Sequence, residues 1–482
     1  MKKQERVRGW IPLVGIVISL AGIFTQPAGA APAEVPRYQA VWVDAFHEGF
    51  KTPEQTKQLI EWARRNNVNA LFIEVRKAGD AYYPSKIEPV AHDISPAGYD
   101  PLADLIAQAH DTRAGRSRIE IHAWLIVYRV GTSQASLPSG HVARLHPEWL
   151  SKTFRGGRED EGSIFLDPGV PDVLSHTDRV VADLVSRYGL DGVHFDRIRY
   201  PGKDWGYNPI AVSRFRDRVR RLFRPRPDDP EWSEFRRRQV SFMLRRLYIT
   251  AKSYRPSIKV SAATIAFDEC YPDFRQSRAF GDVFQDWPRW VLADLLDLNC
   301  PMIYKRDHVP EQAEQYRRWL DFLALHRGSA LAIAGQGSYL NAPSGSLRQI
   351  SLALQRPAIS GVCLFSYAQL AREGDRGEML ADLLRDRYFR RGVPTPNIPS
   401  AERKGLGWVA GTATVGGKSD YIEVTLSTDP PRTTHTDGSG FFAFMSVPKG
   451  DYQVSVSLSR GKKALESVSV VPGRVRWMRL VQ

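Results

Sequence analysis

From Tyr38 onward, short runs rich in valine, isoleucine and aromatic residues alternate with longer stretches whose apolar positions recur every three or four residues. The strand-like runs are YQAVWVDAF, ALFIEVR, IEIHAWLIVY, LDGVHFD, KVSAATIAF, DLNCPMIY, ALAIAGQG and SGVCLFSY. Helical patterns follow them, beginning with TPEQTKQLIEWARRNN, where Thr52 suits an N-cap and Pro53 the first turn. Such alternation is the signature of a parallel α/β architecture. Eight strand–helix units over about 350 residues predict a (β/α)8 TIM barrel with long loops. A doubly wound open sheet is the competing architecture, but no glycine-rich phosphate fingerprint follows the first strand. The widest gaps lie between strands three and four and between strand four and its helix, which places the substrate face there.

Beyond Phe389 the pattern changes. RRGVPTPNIPSAERKG is polar and proline-rich, so residues 390–404 read as a linker that ends a barrel spanning 37–389. Residues 405–482 then alternate apolar and polar positions between the turns DGSG, PKGD and SRGKK, predicting a small all-β sandwich. At the other end, a basic MKKQERVR, an apolar IPLVGIVISLAGIF and a small-residue AGA ending at Ala30 read as a signal peptide over residues 1–30. The expected location is the periplasm or cell envelope, with an uncleaved anchor as the alternative.

A formal net charge of +14 favours anionic neighbours. Export argues against nucleic acid and leaves wall polymers or membrane surfaces. Many of the arginines fall between Arg214 and Arg255, where the expected setting is a solvated helix face, a polyanion-facing surface being the alternative. Cys270, Cys300 and Cys363 are too widely spaced for a zinc site or a disulfide framework and read as small core residues.

In a barrel, chemistry collects where the strands end. Strand one offers Asp44, with His47 and Glu48 just beyond it. Strand two offers Glu74 and Arg76, then Asp80 and Tyr83. Strand three carries His122, Trp124, Tyr128 and Arg129. Strand four carries His194 and Asp196, followed by Arg197, Arg199 and Tyr200. Asp268 and Glu269 follow strand five, Tyr304 follows strand six, and Tyr339 follows strand seven. Glycosidic cleavage needs a proton donor and a second carboxylate, roughly 5 to 9.5 Å apart. Aromatic side chains beside paired acids suit sugar rings. His122 and His194 lack zinc-protease spacing, and no nucleophile elbow is present, so neither a metal nor another cofactor is expected. Each acid also has a structural role open to it: Asp196 as an ion-pair partner of Arg197 or Arg199, Glu74 neutralised by Arg76 on the same strand face, and Asp80 as a turn cap.

The segments DGVHFDRIRYP, FLDPGVPDV, IHAWLIVYRV, LHPEWL and DAYYPS occur in an order that resembles the glycosyl-hydrolase-like family ten of bacterial envelope proteins, over roughly residues 37–389. The resemblance implies a (β/α)8 barrel acting on cell-wall glycan, as a hydrolase or lytic transglycosylase. It implies roles for Asp196, His194 and Tyr200, for Asp80 and Tyr83, and for His122, Trp124, Tyr128 and Arg129. The sequence departs from the family pattern where Arg197 replaces a second acid, where Ile126 and Val127 replace an Asn-Pro pair, and at Glu74, where many relatives carry glutamine. The C-terminal segment resembles carboxypeptidase-regulatory-like or immunoglobulin-like modules and implies contact with the wall or an envelope protein.

Together these features predict an exported glycosidase cleaving an envelope polysaccharide, the peptidoglycan glycan strand first. Asp196 is the expected central carboxylate, and Glu269, or else Asp268 or Glu74, the proton donor. Asp80, Tyr83, His122, Trp124, Tyr128, Arg129, His194, Arg197, Tyr200 and Tyr304 are the expected substrate-binding residues. A catalytically inactive glycan-binding or scaffold barrel is the alternative, and Arg197 is the feature that favours it.

Overall fold

Each of the eight β-rich runs forms one stave of a closed parallel barrel. The staves are β1 (Tyr38–Val43), β2 (Ala70–Arg76), β3 (Glu120–Ile126), β4 (Gly192–Asp196), β5 (Lys259–Ile265), β6 (Leu298–Met302), β7 (Leu331–Gly337) and β8 (Ile359–Phe365). Every stave pairs with its chain neighbours, and β8 closes on β1 with Phe365 opposite Trp42. The computed structural model describes residues 35–132, 137–371, 375–398, 404–457 and 463–481. The expected signal peptide lies outside them.

The helical stretches cover the barrel. Those used below are α1 (Pro53–Arg65), α2 (Pro101–His110), α3 (Pro171–Arg187), α4 (Pro209–Val219) and α5 (Pro230–Tyr254). Thr52 caps α1 as its sequence predicts, its hydroxyl accepting from the Gln55 N–H at 3.2 Å. Outward staves and helices share one large buried cluster, while Tyr38, Trp42, Phe72, Trp124, Cys300 and Cys363 fill the barrel interior. Period two along β1, β2 and β4 then carries the inward face to Asp44, Glu74 and Asp196 at the mouth. Gly192 is required inside: a Cβ there would lie 2.1 Å from the His122 imidazole, which crosses the barrel at that level.

The C-terminal strands are β9 (Leu406–Thr414), β10 (Glu423–Leu426), β11 (Arg432–His435), β12 (Phe441–Pro448), β13 (Gly450–Ser457), β14 (Lys463–Val470) and β15 (Val475–Val481). They make two sheets, ordered β12-β9-β15 and β11-β10-β13-β14. The β9–β15 pair is parallel and the other pairs are antiparallel. Trp408, Ala410, Phe441, Ala443 and Met445 join the buried cluster of the barrel's helical layer, so the sheets and α5 share a core.

Two expectations change here. Much of the arginine-rich segment faces protein and not solvent. Arg214 grips Asp420 with two 2.8 Å bonds, Arg246 meets Asp178 at 3.0 Å, and Arg236 donates to the Trp205 carbonyl at 2.8 Å. The proline-rich segment after Phe389 is fastened beneath the barrel. Asn67 donates to the Phe389 carbonyl at 2.7 Å, Asn69 to the Val393 carbonyl at 2.9 Å, and Thr395 to Glu120 at 2.5 Å. Its composition resembles a linker's, but its carbonyls and hydroxyl complete polar groups on the barrel floor.

Candidate active site

At the C-terminal mouth lies a cavity of about 460 Å³. β1 contributes Trp42 and Asp44, β2 Glu74, β3 Trp124 and Ile126, and β4 Asp196. Tyr304, Tyr339 and Phe365 form the far side, and the loops after β3 and β4 add Arg129, Ser163, Arg197 and Arg199. Acids, cations and aromatic walls therefore meet at the rim where barrel chemistry is expected.

Glu74 is 1% exposed. The Ala45 N–H donates to its Oε2 at 2.7 Å, leaving Oε1 without a hydrogen bond among the described residues. Burial, reinforced by the negative charges of Asp44 and Asp196, pushes its carboxyl up to about 8. Arg76 does not neutralise it. The β2–β3 register slips between Glu74 and Arg76, and Arg76 turns outward to a buried pair with Glu88, the closest contact being 2.6 Å. Glu88 also accepts from His176 at 3.0 Å. The slip leaves one acid unpaired inside the mouth and one ion pair outside it.

Asp196 lines the same cavity and has no ion pair among the described residues. Its Oδ1 accepts from the Arg197 N–H at 2.5 Å, a contact made possible by the left-handed backbone of Arg197 (φ 46°). Its Oδ2 stays available. Asp44 Oδ1 is held by the N–H groups of Phe46 and His47 and by His47 Nδ1 at 2.7 Å, while its buried Oδ2 has no partner among the described residues. Trp124 Nε1 and Arg199 Nε, also on the cavity wall, are likewise buried without partners among the described residues. Buried polar atoms normally find hydrogen bonds, so these three leave hydrogen-bonding capacity open on the cavity wall.

His194 works one layer below. Trp42 Nε1 donates to His194 Nε2 at 3.1 Å, which puts the ring proton on Nδ1, 2.8 Å from Ser261 Oγ; that hydroxyl donates onward to the Val193 carbonyl at 3.2 Å. Burial lowers the imidazole pKa well below its ordinary value, so the ring stays neutral. It fixes the Trp42 indole under the cavity.

The expected residues thus divide. Asp196, Glu74, Trp124, Arg129, Arg197 and Tyr304 meet at the cavity. His194 touches it through Trp42. His122 lies deeper, stacked on Phe72 at 4.5 Å and 3.1 Å from Glu120. Tyr83, Tyr128 and Tyr200 are fully buried packing residues away from the cavity wall, and Asp80 accepts from the Ala78 N–H at 2.8 Å in its turn. Glu269, expected as the proton donor, is 52% exposed and 3.7 Å from Arg318, and it does not line the cavity. From β5 only Ala263 reaches the cavity wall, and neither Asp268 nor Glu269 in the loop after it lines the cavity. Trp42, Phe46, Ser163 and Phe365 join the site without having been singled out. Trp42 was accessible to the period-two pattern through Asp44, whereas Ser163 arrives on a long loop that carries no local signal.

A model of the family described as glycosyl hydrolase-like 10 matches residues 37–324. The chain belongs to this family. YngK, a glycosyl hydrolase of Bacillus subtilis (strain 168), is 24% identical over 400 residues, covering 75% of this chain and 73% of its own. DigH, a glycosyl hydrolase of Escherichia coli (strain K12), is 29% identical over 269 residues, covering 51% of this chain and 56% of its own. The match to DigH therefore spans about half of each protein. The PgaB (BpsB) glycoside hydrolase domain from Bordetella bronchiseptica superposes with a TM-score of 0.53 at 16% identity, covering 75% of this chain and all of that domain. At that identity the likeness is one of fold. Membership of glycosyl hydrolase-like 10 makes the chain a glycosyl hydrolase-like enzyme and its substrate a glycan.

Proposed function

We propose that this chain is an exported glycosidase that cleaves glycosidic bonds within an envelope polysaccharide, with the peptidoglycan glycan strand as substrate. The observation that carries the reading is a barrel-mouth cavity in which a buried carboxyl with raised pKa, Glu74, faces the same space as Asp196 and Asp44. A carboxyl that burial keeps protonated can act as the proton donor beside a second carboxyl group. Glu74 protonates the leaving oxygen through Oε1. Asp196, oriented by the Arg197 N–H, supports the oxocarbenium-like centre or activates water through Oδ2. Glu74 replaces Glu269 in this scheme.

Three guanidiniums support an acidic glycan. Arg129, Arg197 and Arg199 line the cavity with no carboxylate ion pair among the described residues. Burial, followed by repulsion from Arg197, lowers Arg199 to about 10 and lowers Arg129 as well. A sugar bearing a carboxylate, such as a lactyl-substituted residue freed of its peptide, relieves that strain. The cationic rim and the leader-like N-terminus are the grounds for choosing a wall glycan.

The test incubates the mature chain with glycan strands denuded of stem peptides and separates the soluble products. Release of sugar fragments that Asp196→Asn abolishes supports the enzyme. A new reducing end marks hydrolysis, and a 1,6-anhydro end marks transglycosylation. Sedimentation with the glycan and no soluble product would instead identify the binding barrel that Arg197, standing where relatives have an acid, favours.

A further inference from the structure

A second cavity, of about 440 Å³, lies away from the mouth, where the C-terminal sheets meet α5. Its wall carries five arginines, Arg237, Arg238, Arg245, Arg289 and Arg432, against two carboxylates, Glu234 and Asp286. Glu234 is already shared, accepting from Arg237 at 3.2 Å and Arg238 at 2.7 Å. Arg245 is 9% exposed and among the described residues reaches only a hydroxyl and a carbonyl, Thr434 at 2.6 Å and His435 at 2.8 Å, while its Nε has no partner among them. Arg432 likewise donates only to the carbonyls of Met445, at 2.7 Å, and Ser446, at 3.4 Å. Exposed Arg289 has no ion pair among the described residues.

Neighbouring contacts along the same seam show that charge neutralisation was structurally available. Arg246, the residue after Arg245, meets Asp178 at 3.0 Å and Asp437 at 3.5 Å, and Arg214 is gripped by Asp420. An interface serving adhesion alone pairs its buried cations, because an unpaired buried charge is costly. Here burial, opposed by Asp437, lowers Arg245 to about 10 and also lowers Arg432, a burden that a bound anion removes. His435 adds no charge, since burial and the adjacent arginines lower its pKa.

We propose that this seam is a second binding site, for a ligand bearing carboxylate or phosphate oxyanions, distinct from the glycosidase cleft. Forked guanidiniums from the barrel side (Arg238, Arg245 and Arg289) and from the sheet side (Arg432) converge on the ligand, so binding also clamps the two parts together. An acidic polymer held here is retained beside the enzyme whichever bond the cleft cuts.

The test measures binding of two probes, tetragalacturonate and inorganic phosphate, to the full mature chain by calorimetry at low salt, with neutral galactotetraose as control. Binding of either anion that weakens at least tenfold in Arg289→Glu, weakens again in Arg245→Gln, and falls steeply with added salt supports the site. Which probe binds identifies carboxylate or phosphate as the source. Because the cleft arginines would also take such an anion, the seam variants are compared in an Arg197→Gln background, where the binding that persists and is lost on Arg289→Glu belongs to the seam, and thermal melts confirm folding of each variant. Failure of both anions to bind, equal binding of the neutral tetramer, or loss in Arg197→Gln with retention in Arg289→Glu overturns the proposal. None of these readouts depends on cleavage, so it stands or falls apart from the glycosidase assignment.

Discussion

Glu74 sits in the barrel mouth as a carboxyl with no ion pair among the described residues, and its burial, with Asp44 and Asp196 nearby, makes ionisation expensive. Below about pH 8 it keeps its proton, so a mechanism that uses it as acid has kcat/KM falling as pH rises through about 8. Glu74→Gln is expected to lower kcat by about 10²- to 10⁴-fold and to erase that alkaline limb, as a pH–rate profile on glycan strands reads directly. Retention of full activity in Glu74→Gln would pass the proton-donor role to the Asp44 and Asp196 pair, with residue 74 serving as a neutral hydrogen-bonding group. The same shift makes stability depend on pH. The folded-state pKa lies above the unfolded value of 4.5, so the unfolded chain releases this proton first and stability falls as pH climbs from 4.5 towards 8. Replacing the acid by an uncharged amide removes the loss. Urea unfolding should show Glu74→Gln more stable than the parent at pH 8, by on the order of a few kcal/mol, and equal to it near pH 4.

Why Glu74 stays unpaired is decided at the level of β2. Its period-two face was legible from the sequence, and the same rule delivers Trp42 and Asp44 from β1 and Asp196 from β4. The register slip between Glu74 and Arg76 was not, because residues 74 and 76 share a face in a regular strand and only the pairing with β3 reveals otherwise. The slip is accompanied by a partner for Arg76: Glu88 supplies it from a loop, and His176 on α3 holds Glu88 in turn. Burial alone would raise Glu88, yet Arg76 and His176 hold it down to about 2. The pair's contribution is therefore complete above about pH 4.5 and lost as pH falls towards 2. Glu88→Ala leaves a guanidinium buried and unpaired, and chemical denaturation at pH 7 should show a loss of about 3–5 kcal/mol. Because Arg76 also holds the Val127 carbonyl at 3.1 Å, just past the end of β3, the same variant should raise KM for glycan more than it lowers kcat. Ser163 and Glu269 mark the limit of strand-based reasoning from opposite sides: a loop path of many residues brings Ser163 into the cavity, whereas Glu269, only four residues past the end of β5, does not line it.

At the scale of the whole molecule, composition separates a barrel, a linker and a sandwich, whereas packing joins them. Proline and polar residues after Phe389 suggest a free tether because nothing local records that Asn67, Asn69 and Glu120 await hydrogen bonds on the barrel floor. The arginine-rich α5 suggests a wet face because the residues that cover it, Thr434 and His435 among them, lie about 190 positions away. Trp408 packs edge-on against Tyr248 at 6.2 Å, and Phe441, Ala443 and Met445 enlarge the same buried cluster. Removing residues 405–482 would return these apolar faces of α5 to water. At roughly 1.5–3 kcal/mol for each large side chain, the loss is on the order of 5 kcal/mol, a large part of a typical domain's stability. A shared core also makes the two parts melt together. Calorimetry of the full mature chain should give one cooperative transition, and a chain ending at residue 404 should melt at least about 5 °C lower and bind a hydrophobic dye. Two separate transitions, with the barrel's midpoint unchanged by truncation, would mean that the C-terminal sheets hang from the enzyme as an independent module, and the seam would then lack the rigidity to hold its arginines in register.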